Sequence, residues 1–259
     1  MNAISITTIQ TNLYWEDPDK NLTHFTEKLN LIKEPTDIIV LPEMFTTGFT
    51  MNPAVMAEAH EGNGLQWMIE KAKEKSCAVT GSISVKEENK FYNRLYWVMP
   101  DGTYKYYDKR HLFQMGNEHK HYTAGTQKLM VEYKGWKICP LICYDLRFPV
   151  WSRNRKENSY DLLLYVANWP EARTYPWKQL LIARAIENQS YVVGVNRIGN
   201  DGNNVAHCGD SAIINPRGEV ISKPNTSLDV IETVSLSATY LEEFRKLFPV
   251  MMDGDEFTV

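Results

Sequence analysis

Apolar residues recur along this chain in two rhythms. One is short and rich in β-branched residues: "AISITTIQ" (3–10), "TDIIVLPE" (36–43), "CAVTGSISV" (77–85), "FYNRLYWVM" (91–99), "WKICPLIC" (136–143), "DLLLYVANWP" (161–170), "SYVVGVNRIG" (190–199), "GDSAIINPRGEVI" (209–221) and "VIETVSLS" (230–237). These read as strands, several of them buried on both faces and two stopped by Pro42 and Pro170. "KLMVEY" (128–133), turned by Lys134-Gly135, reads as a partner for 136–143. Pro100-Asp101-Gly102 makes a tight turn into "TYKYYDK" (103–109), which predicts a hairpin. The other rhythm is helical. "NLTHFTEKLNLI" (21–32), "GLQWMIEKAKEK" (64–75), "PWKQLLIARAIENQ" (176–189) and "ATYLEEFRKLFPV" (238–250, up to Pro249) each line apolar residues along one face. Strands that alternate with helices and also form hairpins predict an α/β chain with a mixed sheet, or two stacked sheets, and helices outside. No linker, repeat or low-complexity tract divides residues 1–259, so one domain is expected.

Composition narrows the class of function. The chain has 259 residues, 43% of them hydrophobic, and a formal net charge of −4, which argues against a nucleic-acid groove or an anionic membrane surface. The start, "MNAISITTIQTN", has no basic or long apolar segment, and "LLLYVA" (162–167) is far short of the ~20 residues that span a bilayer. A soluble, cytoplasmic protein is expected. Cys77, Cys139, Cys143 and Cys208 fit neither a disulfide framework nor a zinc site. At ~3.3 Å per residue, Cys139 and Cys143 stand ~13 Å apart along one strand, so each thiol has to be explained singly.

Cys143 invites the closest reading. Its strand runs straight into Tyr144-Asp145-Leu146-Arg147-Phe148-Pro149. A buried, inert thiol is the common role for cysteine. A thiol at a strand-to-helix bend, with Asp145 as a helix cap, instead projects beyond the sheet toward backbone N–H groups. None of the six histidines has a setting that marks it as the base; His111, His119 and His121 crowd a polar loop. Glu43 follows a buried strand and Pro42, where partial desolvation suits a general base. Lys109 closes a strand, where an ammonium can stabilise an oxyanion. Glu118 is a second loop carboxylate. Taken alone, each of these is more commonly a solvated surface group.

Taken in order, "LPEMFTTGF", "DKRHLF", "EHKHYTAG" and "CYDLRFP" each lie at or just past a strand end. This resembles the nitrilase (carbon–nitrogen hydrolase) superfamily, and the match runs on through "ANWPEARTYPWKQLLIARAIENQSYVVGVNRIG" and "GDSAIINPRGEV". The resemblance implies a four-layer αββα sandwich with Glu43 as base, Lys109 as oxyanion partner, Cys143 as nucleophile and Glu118 in support. The "EMF" stretch and the spacing after the lysine look most like the omega-amidase branch, whose substrates are small dicarboxylate monoamides such as 2-oxoglutaramate and 2-oxosuccinamate. Other activities of the superfamily (deaminated glutathione amidase, carbamoylase, nitrilase) and a non-catalytic binding protein are the alternatives. The chemistry implied needs no metal or organic cofactor, and the partners implied are a small amide and a second copy in a homodimer. A substrate carboxylate calls for an arginine fork. Arg173, in the loop after "ANWP", is favoured over Arg147, which is expected to brace the turn, and over Arg197. Tyr144 is expected to give its backbone N–H to the oxyanion. Phe45, Trp169 and Tyr144 are expected to line the walls.

Overall fold

The computed structural model describes residues 3–157 and 159–255. Met1 and Asn2, at the start expected to carry no leader, lie outside the described residues, as do Asn158 and residues 256–259. In chain order the strands are β1 (Ile4–Gln10), β2 (Ile38–Val40), β3 (Glu58–Ala59), β4 (Ala78–Glu87), β5 (Lys90–Val98), β6 (Tyr104–Asp108), β7 (Val131–Tyr133), β8 (Trp136–Ile142), β9 (Leu162–Ala167), β10 (Tyr191–Asn196), β11 (Ile198–Asn200), β12 (Ala206–Cys208), β13 (Ala212–Ile214) and β14 (Val230–Leu236). The helices are α1 (Pro18–Asn30), α2 (Pro53–Met56), α3 (Asn63–Lys75), α4 (Glu118–His121), α5 (Pro149–Ser152), α6 (Thr174–Asn188) and α7 (Ala238–Leu247).

The strands form two mixed sheets. The first has the order β14-β1-β2-β4-β5-β6, with β3 beside β4, and the second the order β13-β10-β9-β8-β7. Each carries a parallel trio, β1-β2-β4 in one and β8-β9-β10 in the other. Parallel strands covered on both faces read as continuous apolar runs, which is why "IIV" and "LLLYVA" lack alternation.

Period-two geometry sorts the first sheet's side chains into two cores. Ile38, Val40, Leu95 and Trp97 point toward the second sheet and join Ile138, Ile142, Leu162 and Leu164. Their neighbours Ile39, Leu41, Tyr96 and Val98 point the other way, against Phe25 and Leu29 of α1 and Leu65 and Met68 of α3. Outside the second sheet, α6 presents Trp177 and Leu181 to β10. Gly194 permits that approach, since a Cβ there would stand 2.6 Å from Leu181 and 3.0 Å from Trp177. The result is helix, sheet, sheet, helix.

The boundaries differ from the sequence reading at a few places, each with a local cause. α1 begins at Pro18, three residues early, because the Asp17 side chain accepts from the Lys20 N–H and Pro18 fits the first turn. The run at 190–199 breaks into β10 and β11 at Arg197, whose N–H turns to the Asn196 side chain. The segment 128–133 pairs only over Val131–Tyr133. The stretch at 209–221 keeps just β13 and a bridge between Ile214 and Val220.

Candidate active site

The carboxyl ends of the parallel strands in the two sheets open onto one region, and three residues with positive φ shape it. Past β2, Glu43 precedes Met44 (φ 42°), and the loop stays bound to β4 through the Met44 N–H to Ser82 Oγ and the Phe45 N–H to Ser82 O. Glu118 opens α4 directly after Asn117 (φ 58°). Cys143 itself sits at φ 40°, between β8 and a single 3₁₀ turn over Cys143–Arg147. A non-glycine residue there is strained, and strain of this kind persists where the surroundings fix it. Asp145 is the fixture. Its Oδ2 accepts from the Ile142 N–H (3.0 Å) and the Tyr107 hydroxyl (2.7 Å); its Oδ1 accepts from the His111 N–H (3.0 Å) and bonds His111 Nδ1 (2.8 Å). Asp145 therefore ties the cysteine turn to the segment that carries Lys109. His111 belongs to this brace, stacked 3.7 Å from Phe148, rather than to a solvated loop.

Glu43, Lys109, Glu118 and Cys143 come together there. Lys109 Nζ donates to Glu43 Oε1 (2.8 Å) and to both oxygens of Glu118 (3.0 Å each). The three charged side chains are wholly enclosed. Burial works to lower the Lys109 pKa, but Glu118 and Glu43 outweigh it, so the ammonium keeps its proton. Glu118 is raised by burial and by the Glu43 charge, with Lys109 opposing. The Cys143 thiol is pushed well up by burial first and then by Glu43, against the pull of Lys109. The resting thiol is therefore protonated beside an acceptor carboxylate.

Two asparagines absent from the sequence reading complete the arrangement. Asn93, in β5, donates from Nδ2 to Glu43 Oε1 (2.8 Å) and to Glu118 Oε1 (3.2 Å). Asn168, just past β9, gives its backbone N–H to Glu43 Oε2 (2.8 Å) and its side-chain amide to the Glu43 carbonyl (2.5 Å). One sequence signal was available for Asn93. It shares an inward face with Leu95 and Trp97, where a polar side chain interrupts an apolar series.

A cavity of about 180 Å³ opens over Cys143 and Lys109. Tyr144, Arg147, Trp169 and Arg173 line it. Arg147 lies 5.1 Å from the Trp169 ring and Arg173 lies 5.3 Å from the Phe113 ring. Arg147 was expected to brace the turn through an ion pair; no such pair is found among the described residues. Phe45 does not line the cavity. It is fully buried on the far side of the first sheet, edge-on to Phe25 (5.4 Å) and packed on Trp67 (5.6 Å). β2 ends at Val40 and residues 43–47 form a turn closed by the Thr47 and Gly48 N–H groups on the Met44 carbonyl, which carries Phe45 away from Glu43. Phe49 and Phe113 hold the wall position instead. Arg197 is also outside it, buried against the Asn12 side chain and the carbonyls of Leu13 and Asn200, with burial lowering its pKa to about 10. The opposite wall, Asp201, Asn203, Val205 and His207, comes from the β11–β12 hairpin and was not foreseen. Among the described residues no cluster of His, Cys, Asp and Glu has the form of a metal site.

Comparison with known proteins gives a consistent picture. The family described as carbon-nitrogen hydrolase matches residues 5–246. The chain is 48% identical to omega-amidase YafV of Escherichia coli strain K12 over 99% of both chains. It is 32% identical to 2-oxoglutaramate amidase of Bacillus subtilis over 96% of both. Among solved structures, a CN-hydrolase superfamily protein of Xanthomonas campestris, with an arsenic adduct in its active site, superposes with a TM-score of 0.97 at 44% identity over 100% of both chains.

Proposed function

The chain belongs to the carbon-nitrogen hydrolase family, and from that premise we propose that it is an amidase that hydrolyses the terminal amide of small dicarboxylate monoamides. The substrate class rests on its likeness to proteins named omega-amidase and 2-oxoglutaramate amidase. The assignment of roles rests on one observation: the Lys109 ammonium, held between Glu43 and Glu118, shares a cavity with a strained cysteine at a strand end.

In this reading Glu43 takes the Cys143 proton as sulfur attacks the amide carbon. Transfer accompanies attack, because the thiol is too weak an acid here to ionise beforehand. The carbonyl oxygen becomes an oxyanion beside the Lys109 ammonium and the Tyr144 N–H; each such donor lowers a barrier by about 3–4 kcal/mol. The C–N bond then breaks, Glu43 returns the proton to nitrogen, and ammonia leaves a thioester. Water enters, gives a proton to Glu43 and attacks the thioester carbon. The C–S bond breaks, the thiol is reprotonated and the acid departs. One carboxylate serves as base and acid in turn. Glu118 keeps Lys109 aimed.

Arg173 meets the substrate's free carboxylate, with Arg147 as its neighbour on the same wall. Neither guanidinium has an ion-pair partner among the described residues, and each rests on an aromatic ring, which orients it at little cost.

The experiment is a panel of small amides, carbamoyl compounds and nitriles scored for ammonia, with 2-oxoglutaramate as the expected best substrate. Cys143→Ala is expected to stop turnover, and turnover at the parent rate would falsify the nucleophile. We also propose a cytoplasmic homodimer. Among the described residues no helix is long and apolar enough to cross a membrane. Val150, Leu247 and Phe248 are exposed apolar side chains of the kind a subunit interface covers. A monomer mass at micromolar concentration discards the dimer.

A further inference from the structure

We propose that Asn93 is the positioning residue of this reaction: its amide occupies Glu43 Oε1 and so leaves Oε2 as the oxygen that receives the cysteine proton. The inference rests on the amidase reading of the site.

Counting lone pairs gives the assignment. Glu43 Oε1 accepts two hydrogen bonds, from Lys109 Nζ and Asn93 Nδ2, and has no capacity left. Oε2 accepts one, from the Asn168 N–H. The remaining lone pair belongs to Oε2, and the thiol of Cys143 is the donor available to it. Asn93 thus settles which of two chemically equal oxygens acts.

The residue reaches further than Glu43. Its second amide hydrogen goes to Glu118 Oε1, and its backbone carbonyl accepts the Lys109 N–H at 3.0 Å. It touches the base, the second carboxylate and the backbone of the lysine. Orientation is dictated, because turning the amide over would aim its oxygen at two carboxylates. In the orientation found, Asn93 Oδ1 is buried with no hydrogen-bond partner. An inward position flanked by Leu95 and Trp97 would be better filled by leucine if packing were the purpose. The unsatisfied oxygen is offset by the two bonds to the carboxylates. An aspartate there would put a third anion beside Glu43 and Glu118, so the chemistry calls for a donor amide.

Lys109, the Cys143 thiol, the Phe113 and Asn168 N–H groups and the nearby Tyr122 hydroxyl, itself bonded to Ser84 and the Thr50 carbonyl, are the other polar groups facing the carboxylate pair. With these unchanged, replacing Asn93 removes a donor that favours ionised Glu118, which burial already raises, so that carboxyl holds its proton to higher pH.

The test uses full-length Asn93→Leu and Asn93→Asp. Alkylation of Cys143 by iodoacetamide is followed against pH by mass spectrometry, a readout independent of the natural substrate. Ammonia release from 2-oxoglutaramate gives kcat and KM. For Asn93→Leu the expected result is alkylation and kcat lower by about 10- to 100-fold, KM within about threefold, and the acid limb of both profiles moved to higher pH. Asn93→Asp falls further. If Asn93→Leu fails to fold, Asn93→Ser retains one donor and is expected to give an intermediate shift. A folded Leu or Ser variant with the parent's acid limb and alkylation rate overturns the proposal, as does a loss confined to KM. A shifted alkylation profile in an enzyme that ignores 2-oxoglutaramate sustains Asn93 and rejects the substrate.

Discussion

Two buried ionic clusters stand on opposite faces of β5 and β6, built from adjacent residues. Asn93 and Lys109 face the second sheet; Arg94 and Asp108, each the chain neighbour of one of them, face outward. Each cluster places one cation between two carboxylates. Arg94 is 1% exposed and meets Asp108 as a fork, Nε to Oδ1 at 2.7 Å and one terminal nitrogen to Oδ2 at 2.9 Å, with Glu87 at 2.8 Å. His60 and the Tyr106 ring, 4.0 Å away, cover the rest. Its carboxylates reach solvent, Glu87 at 37% and Asp108 at 16% exposure, so part of their charge stays hydrated. The Lys109 cluster has no such outlet, and all three charges are enclosed. Arginine closes a finished pair, whereas lysine is a compact charge beside a cavity with a protonated thiol. The same arrangement, one cation between two carboxylates, thus gives a staple on one face and the proposed reaction centre on the other. Desolvation and access separate the two.

The comparison predicts that turnover and stability fall together in one cluster and separate in the other. Lys109→Met should give the largest loss. It strands two buried carboxylates, so turnover falls by about a thousandfold or more, and the protein loses roughly 3–5 kcal/mol in urea unfolding. Arg94→Met should cost less stability, roughly 1–3 kcal/mol, because the carboxylates it leaves unpaired reach solvent, and kcat per folded molecule should stay within about threefold of the parent. Equal losses of kcat in both variants would merge the two clusters into one and break the distinction. A smaller effect is expected at the cavity mouth. Arg173→Gln should raise KM for 2-oxoglutaramate by about 10- to 100-fold with little change in kcat, as for a lost charge-assisted hydrogen bond. If kcat falls and KM holds, Arg173 acts on the transition state instead.

Glu58 sharpens the contrast from a third direction, as a half-buried carboxyl with no ion-pair partner among the described residues. It accepts from the Gly64 N–H at 2.6 Å, and burial raises its pKa to about 7, against that single bond. The unfolded chain gives up this proton near 4.5 and the folded one near 7. Stability from this group therefore declines as pH rises through that window and is flat above it. The expected change is at most ~3 kcal/mol, read as a lower urea midpoint at pH 8 than at pH 5. Glu58→Gln should abolish that difference. A difference that persists unchanged in the variant would place its origin elsewhere.

What the sequence determined by itself was local or repetitive. Strand runs such as "IIV" and "LLLYVA" and the apolar faces of α1, α3 and α6 were legible because side-chain direction follows from backbone period alone. Four short motifs in order identified Glu43, Lys109, Glu118 and Cys143 as a set, through resemblance, without showing where any of them stood. Tertiary structure decided the rest. Glu43 and Lys109 are 66 residues apart, and their 2.8 Å contact exists because separate strands end together. The turn at residues 43–47 sends Phe45 into the far core, away from the cavity beside Glu43. Asn93 reads as one more residue of a strand until the fold places two carboxylates within its reach, and the β11–β12 hairpin becomes a wall only when the second sheet packs on the first. Periodicity is a property of neighbours in the chain, whereas desolvation, lone-pair occupancy and access belong to neighbours in space.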